Sequence, residues 1–412
     1  MNLLISYTFL TGFMSKCNKD FFRVKKDWSI TKDDVLGTYL KPYFVKLLSK
    51  GKPIVYIDCF AGKGKFDDGT DGSPLIALRA LSDALSLSKN SKSIVYAYFI
   101  ELNYFRDLEK NIPNDCDKRI RIEVVPGKFE ENIEQILSLH INDTVFLYMD
   151  PYGIKAIDVD KFNSFKKNDN QSIELLINFN TWGLFRNACR VLNADFSCDE
   201  DVEKYLIEYD PYNNLLKEDI DTISGGDYWE DIIKKYKIDN DSKSAEQELS
   251  KGIAYAFKKG FKYVLNIPVK SNPANKVPKY RLFHLSNHKH GCIMMADAMH
   301  KRINESVIRY NKGQTSLFDY SSEGELENLN LLKKEILARV PLEYIHLLDF
   351  LARYFSERGV ETSSRTIIKV LKELEASNEI MIKRIPPLTK NGKKSMFMDE
   401  DYRRKVVLKR QK

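Results

Sequence analysis

Three short stretches of this 412-residue sequence hold residue types at spacings that can do chemistry. The first is Phe146-Leu147-Tyr148-Met149-Asp150-Pro151-Tyr152-Gly153, an apolar run that delivers a carboxylate, a rigid turn and an aromatic ring to one point. Asp150 can accept a hydrogen bond from an exocyclic amine, the Pro151 carbonyl can take the second N–H, and Tyr152 can stack on a base. The bland alternative is a strand-ending turn. The second stretch is Asp58-Cys59-Phe60-Ala61-Gly62-Lys63-Gly64, a carboxylate followed by a loop with two glycines where the backbone lets a ligand approach. Glu101, which ends the next apolar run, can accept hydrogen bonds from both hydroxyls of a ribose. A triphosphate cradle is excluded, because no GxxxxGK[ST] occurs and Phe66 follows Lys65 where a hydroxyl residue is needed. A ribose-plus-aminoacyl ligand fits better, with Asp58, Phe60, Ala61, Gly62, Gly64 and Glu101 around it. The structural rival has Asp58 capping a turn and Glu101 capping a helix. The third stretch, Ile177-Asn178-Phe179-Asn180-Thr181-Trp182-Gly183, places Asn178, Asn180 and Trp182 beside Asp150, where they can line the substrate side. For Trp182 a core position is an equal alternative.

A fourth cluster invites a metal reading that its spacing does not support. His284, His288, His290 and Cys292 fall within nine residues, but structural zinc pairs its ligands on separated elements, and no CxxC completes this set. No metal is expected. The six cysteines, Cys17, Cys59, Cys116, Cys189, Cys198 and Cys292, contain no CxxC pair, which argues against an iron–sulfur site or a disulfide framework and for reduced, cytoplasmic thiols. The apolar opening Met1–Phe13 lacks basic flanks and a cleavage site and is too short to span a bilayer.

These residues need elements to position them. Ile54–Phe60, Ile94–Ile100, Ile120–Val125, Thr144–Met149 and Ile173–Asn178 are short, apolar runs, and between them lie segments with apolar residues at helical spacing. Ser73, followed by Pro74, is the expected N-cap of the first of these helices. Strands that are apolar throughout and alternate with helices predict an α/β fold with a parallel sheet covered on both faces. A helical, acidic insertion from about residue 193 to about 255 follows, and then Phe261–Val269 and Lys279–Leu285 read as an antiparallel hairpin. Five parallel strands closed by a hairpin are the Rossmann-like sheet of class I S-adenosylmethionine-dependent methyltransferases.

The formal charge is +7, with 43% hydrophobic and 30% charged residues, which excludes a disordered or fibrous chain. The excess is local. From Arg358 to Lys412 there are 15 Lys and Arg against 7 Asp and Glu, a net +8, so the residues before it carry a net −1. Such a block suggests a nucleic-acid partner. The segment 310–328 turns polar and reads as a linker. After it, Leu329–Arg339, Leu342–Arg358 and Ser363–Ser377 read as helices, and Glu379–Ile385 with Lys394–Met398 as a hairpin. Three helices and a hairpin make a winged helix-turn-helix domain, 329–412. Arg365, Lys369, Lys372, Lys383, Arg384, Lys393 and Lys394 are its expected nucleic-acid contacts, unless the domain binds only proteins. In the linker, Gln314-Thr315-Ser316-Leu317-Phe318 resembles the peptide with which bacterial DNA-processing proteins dock onto the sliding clamp, although packing on the chain's own surface is the favoured explanation.

Two further resemblances complete the reading. Asp150-Pro151-Tyr152 resembles the Asp-Pro-Pro-Tyr motif of N6-adenine methyltransferases, with one Pro fewer before the ring. The blocks Trp28 through Lys41, Tyr56 through Gly64, Gly72 through Leu78, Asp150 through Gly153 and His288-x-His290-Gly291 resemble, in order, the bacterial three-Cys-motif partner protein family. That resemblance runs from about Met14 to Asn311, which makes Met14 a candidate initiator and residues 1–27 an N-terminal extension to a domain of 28–309. It implies a methyltransferase-like Rossmann fold that binds S-adenosylmethionine and a partner protein bearing a three-cysteine motif of the radical-S-adenosylmethionine type. The functional expectation is methylation of a nucleic-acid amine, DNA in preference, with Asp150, Pro151 and Tyr152 at the acceptor. The alternative is a non-catalytic scaffold for the three-cysteine protein. A third reading gathers Asp58, Glu101 and Asp150 around Mg2+ for DNA cleavage.

Overall fold

The computed structural model describes residues 22–411 apart from 26, 52, 89–93, 166–170, 197–214, 271–274 and 311–321. The proposed clamp peptide and the Met14 start lie outside these residues. Contacts divide the chain into two compact units that meet at Asn287 and His288.

In the first unit the apolar runs become parallel strands because each must be buried on both faces. In chain order its elements are α1 (Asp27–Leu48), β1 (Ile54–Asp58), α2 (Ser73–Leu87), β2 (Val95–Glu101), α3 (Phe105–Asn111), β3 (Ile120–Pro126), α4 (Phe129–Leu139) and β4 (Thr144–Met149). Then follow α5 (Val159–Asn163), β5 (Ser172–Phe179), α6 (Thr181–Val191), α7 (Lys217–Ser224), α8 (Trp229–Asp239), α9 (Ser242–Phe257), β6 (Tyr263–Val269) and β7 (Tyr280–Ser286). Every residue of β1 and β4 is buried, as central strands require. The sheet order is β3-β2-β1-β4-β5-β7-β6, with β1 to β5 parallel and β7 antiparallel to both neighbours. The five parallel strands and the antiparallel hairpin are those anticipated above. Its register decides what meets at the edge. Asp58 is level with Phe99 and Tyr148, and Met149 with Ile177, so Asp58, Glu101, Asp150 and Asn178 all fall at the carboxyl ends of adjacent strands.

The insertion supplies α7, α8 and α9, and a buried ionic fork ties it to the sheet. Arg281 of β7 donates to both carboxylate oxygens of Glu246 in α9, at 2.7 and 2.8 Å, and Thr181 Oγ1 adds a third bond at 2.7 Å. The start of α2 differs from expectation by one residue. Gly72 is the N-cap and Ser73 is already helical, which frees the Ser73 hydroxyl to bond Asp58.

The second unit contains α10 (Lys289–Tyr310), α11 (Ser322–Arg339), β8 (Ile345–His346), α12 (Leu347–Arg358), α13 (Ser364–Ala376), β9 (Ile380–Ile385) and β10 (Lys405–Arg410). The strands form an antiparallel sheet in the order β8-β10-β9. The sequence reading ends the first domain with the stretch that forms α10, yet this helix packs within the second unit. Lys289 Nζ pairs with Asp349 at 2.9 Å, Cys292 Sγ reaches Ala352 O at 3.6 Å, and Asp297 accepts the Ser364 backbone N–H at 2.7 Å and its hydroxyl at 2.6 Å. α11 likewise starts inside the segment read as linker. Ser363 caps α13, accepting the Thr366 N–H at 3.1 Å.

Two readings of the basic block are corrected. The strand beside β9 is Lys405–Arg410, while Lys394 makes only an isolated bridge with Leu388. The reason is the buried pair Val406 and Leu408, which gives the last segment a two-residue period with an apolar inner face. Arg384 is not at the surface. It shares the inner face of β9 with Ile380 and Ile382, is 5% exposed, and forks onto Glu375 with two bonds of 2.7 Å.

Candidate functional site

At the end of β1 the backbone turns into the glycine loop, and Asp58 lies beneath that turn. It accepts from the Phe60 N–H at 3.3 Å, from the Tyr56 hydroxyl at 3.4 Å and from Ser73. Its carboxyl is fully buried, and burial pushes its pKa up to about 7 against the pull of the Ser73 and Phe60 hydrogen bonds, with Asp150 and Asp33 adding to the rise. The Ala61 N–H donates to Ile100 O at 3.0 Å, and the Phe60 ring packs on Phe129 at 5.7 Å. Asp58 and Ala61 are buried and shape the loop from within, while the Phe60 ring is half-buried.

Gly62 and Gly64 carry the conformational demand. Both have positive φ, +62° and +75°, and a Cβ on Gly64 would stand 2.7 Å from Leu108 Cδ1. We expect Gly64→Ala to destabilise the first unit by about 1–3 kcal/mol, from left-handed strain and the clash together. Thermal melting checks this, and an unchanged midpoint would contradict the loop geometry. Glu101 braces the loop from β2. Its Oε2 accepts the Gly62 N–H at 2.8 Å, and its Oε1 accepts the Asn103 and Tyr104 N–H groups at 2.8 and 3.1 Å. A carboxylate has about four acceptor positions, so Glu101 keeps room for one further donor rather than a free pair for two ribose hydroxyls. The Phe22 ring lies against Gly62, 3.2 Å from where a Cβ would be, and meets Tyr104 edge-on at 5.0 Å. Lys63 Nζ stands 4.9 Å from the Phe22 ring and 5.4 Å from that of Tyr104.

At the ends of β4 and β5 the structure brings Asp150 and Asn178 together. Asn178 Nδ2 donates to Asp150 Oδ1 at 2.7 Å, and Asn178 Oδ1 is buried without a hydrogen-bond partner among the described residues. The other Asp150 oxygen is ion-paired with Lys32 of α1. Beside Lys32, Asp33 pairs with Lys25 at 2.7 Å. Burial pulls the Lys32 ammonium down, but Asp150, Asp33 and Asp58 outweigh it and hold its pKa above the ordinary value. Burial raises the Asp33 carboxyl, opposed by Lys32 and Lys25. Two lysines and three aspartates thus share one edge of the sheet. Nothing local in the sequence marked this cluster, and Lys32-Asp33-Asp34 was read above only as part of a block.

Tyr152 is 54% exposed just past this cluster. Asn180 is half-buried at the start of α6. Its carboxamide oxygen caps α6 by accepting the Gly183 N–H at 2.8 Å. Trp182 is fully buried, stacked on Phe185 with ring centroids 4.7 Å apart, so its position is the core one. The histidine cluster is dispersed. His284 is buried in β7 and contacts Glu174 at 3.1 Å, which also accepts the Tyr39 hydroxyl at 2.6 Å, whereas His288 and His290 stack on each other at the start of the second unit. Among the described residues no three ligand-type side chains converge as a metal site would require, and that includes Asp58, Glu101 and Asp150.

On α13 of the second unit, Arg365, Lys369 and Lys372 are exposed opposite the buried Ile367, Val370, Leu371 and Leu374. Lys383, Lys393 and Lys394 are exposed as well.

No protein-family model matches this chain, and neither does any curated protein. Four chains of solved structures match it. One is a loganic acid methyltransferase with SAH, 10% identical, covering 61% of this chain and 92% of that one with a TM-score of 0.27. No helix among the described residues is long and apolar enough to cross a membrane.

Proposed function

We propose that the first unit binds S-adenosylmethionine at the Gly62–Gly64 loop and transfers its methyl group to a nucleic-acid amine. The observation that carries this reading is the register that brings the glycine loop, Glu101 and the Asp150–Asn178 pair to one sheet edge. Ligands of open α/β sheets bind outside such carboxyl ends. The residues fit the cofactor in part. Gly62 has no Cβ where a ligand would approach, and Glu101 has one acceptor position left, but the Phe22 ring must yield for anything to reach Gly62. The cofactor, when bound, supplies an electrophilic methyl group. The chain's own task is to orient the acceptor and take up developing positive charge. Asp150 suits both roles, and the unpaired Asn178 Oδ1 beside it is a ready second acceptor for an amine with two N–H groups. The second unit, read as a winged helix, would bring nucleic acid through Arg365, Lys369, Lys372, Lys383, Lys393 and Lys394, DNA in preference. In keeping with the family resemblance, the protein would work in a cytoplasmic complex with a three-cysteine-motif protein.

One observation favours the scaffold reading instead. Lys32 and Asn178 each hold one Asp150 oxygen, so the carboxylate is already offset by an internal cation and is a weaker acceptor for a developing positive charge. Calorimetric titration with S-adenosylmethionine and S-adenosylhomocysteine, using Glu101→Ala as control, separates the two. Micromolar binding lost in the control supports the enzyme. No binding to the folded chain leaves the scaffold. Given binding, we expect Asp150→Asn to lower methyl transfer at least 100-fold with little change in cofactor affinity. Loss of affinity would make Asp150 structural.

A further inference from the structure

The sheet of the second unit has an outer face as distinctive as its inner one. Strand alternation sends Ile380, Ile382 and Arg384 inward with Val406 and Leu408, and leaves Met381, Lys383 and Ile385 outside on β9 and Lys405, Val407 and Lys409 outside on β10. The register sets Lys409 opposite Met381 and Val407 opposite Lys383. Tyr344, just before β8, lies over this face, and its hydroxyl donates to Met381 Sδ at 2.9 Å. Lys383 Nζ stands 4.3 Å and Lys409 Nζ 5.0 Å from the Tyr344 ring centroid. Tyr344 and Met381 stay about four-tenths exposed, at 38% and 39%.

Three lysines give this face its positive charge, and His346, level with Val407, sits against Glu400 at 3.3 Å. Lys383, Lys405 and Lys409 form no ion pair among the described residues, and two of them rest on an aromatic ring from two different strands. A phosphate is a far stronger partner for an ammonium than an exposed ring, so a phosphate chain would draw the lysines off and uncover the Tyr344 face. Uncovered cations around a half-exposed aromatic on a sheet are what a single strand needs, since its bases offer free π-faces that a duplex keeps stacked. We propose that the outer face of the β8-β10-β9 sheet binds single-stranded nucleic acid, one base stacking on Tyr344 and the flanking phosphates taken by Lys383, Lys405 and Lys409. This surface is separate from the one carrying Arg365, Lys369 and Lys372, because α13 meets the inner face of the sheet, where its Glu375 holds Arg384. The inference rests on the nucleic-acid part of the proposed function and is independent of methyl transfer.

The test is fluorescence anisotropy of the full chain with labelled single-stranded and duplex oligonucleotides at fixed salt. Tyr344→Ala should weaken single-strand binding about 5- to 100-fold and leave duplex binding unchanged, while Tyr344→Phe stays within about two-fold of the parent. Lys383→Ala with Lys409→Ala should also flatten the salt dependence for the single strand, by roughly 0.7 in slope for each phosphate that is no longer neutralised. Three results would overturn the proposal. They are an unaltered single-strand affinity in Tyr344→Ala, an equal loss for duplex, or displacement of the oligonucleotide by an acidic peptide at lower concentration than by unlabelled single strand. Binding of neither nucleic-acid form to the intact chain would remove the nucleic-acid part of the proposed function along with it.

Discussion

Lys32→Met should cost the first unit on the order of 3–5 kcal/mol. Lys32 is 6% exposed, and its ammonium is the cation that offsets Asp150, with Asp33 and Asp58 also within its field. Removing one partner of a buried pair leaves the other charge desolvated and uncompensated, which is among the largest single-residue losses a fold can suffer. Methionine keeps the volume of the side chain, so the loss reports charge rather than a cavity. Urea titration of the first unit's unfolding transition measures it. Combining Lys32→Met with Asp150→Asn should recover at least about 1.5 kcal/mol relative to the sum of the single changes, because the pair acts as one. A loss below about 1 kcal/mol in the single variant would mean that water already reaches the pair in solution.

Asp58→Asn should have the opposite sign. The folded carboxyl keeps its proton up to about pH 7, whereas the unfolded one releases it near 3.8. Between those values the folded state holds more protons than the unfolded one, so this group's contribution is full below pH 3.8, shrinks as pH rises and is gone above about 7. Asparagine resembles the protonated acid and carries no such penalty. The variant should match the parent near pH 4 and exceed it at pH 8 by up to about 4 kcal/mol, the value of roughly three pKa units. The measurement is the difference in unfolding free energy between parent and variant across pH 4–8, in which the titration of groups remote from Asp58 cancels. A constant difference over that range would show that Asp58 ionises in the fold at an ordinary pH.

What could be read from the sequence divides along a physical line. Runs such as Ile54–Asp58 and Thr144–Met149 are apolar at every position, and only a strand covered on both faces has use for that, so the sheet and its carboxyl edge were legible from local composition. The meeting of Glu101 with Gly62 was legible in outline for the same reason, since consecutive parallel strands must end side by side. The Lys32–Asp150 pair was not, because it joins residues 118 positions apart, and nothing local distinguishes a buried helical lysine from a solvated one. Asn180 and Trp182 could not be assigned from local sequence, because Asn180 is the residue that caps α6 and Trp182 lies in its first turn, where a side chain serves the helix start or the core. Arg384 was readable in principle. Ile380 and Ile382 mark the inner face of β9, and counting two further lands on Arg384, but a positive charge in a basic block drew the reading outward.

The ending of α10 at Tyr310 and the resumption of described helix at Ser322 have a consequence for the integrity of the chain. Because α10 is covalently joined to the first unit's strand β7 yet hydrogen-bonded to α12 and α13, a cut anywhere between Tyr310 and Ser322 passes through the second unit rather than between the units. A polypeptide ending there would carry an orphaned helix with Cys292, Met295 and Met299 laid bare, and the piece beginning at Ser322 would lack the side chain of Asp297 that closes the start of α13. Expressed together, the two fragments would reassemble and copurify as a split protein. Expressed apart, neither half would hold a complete second unit.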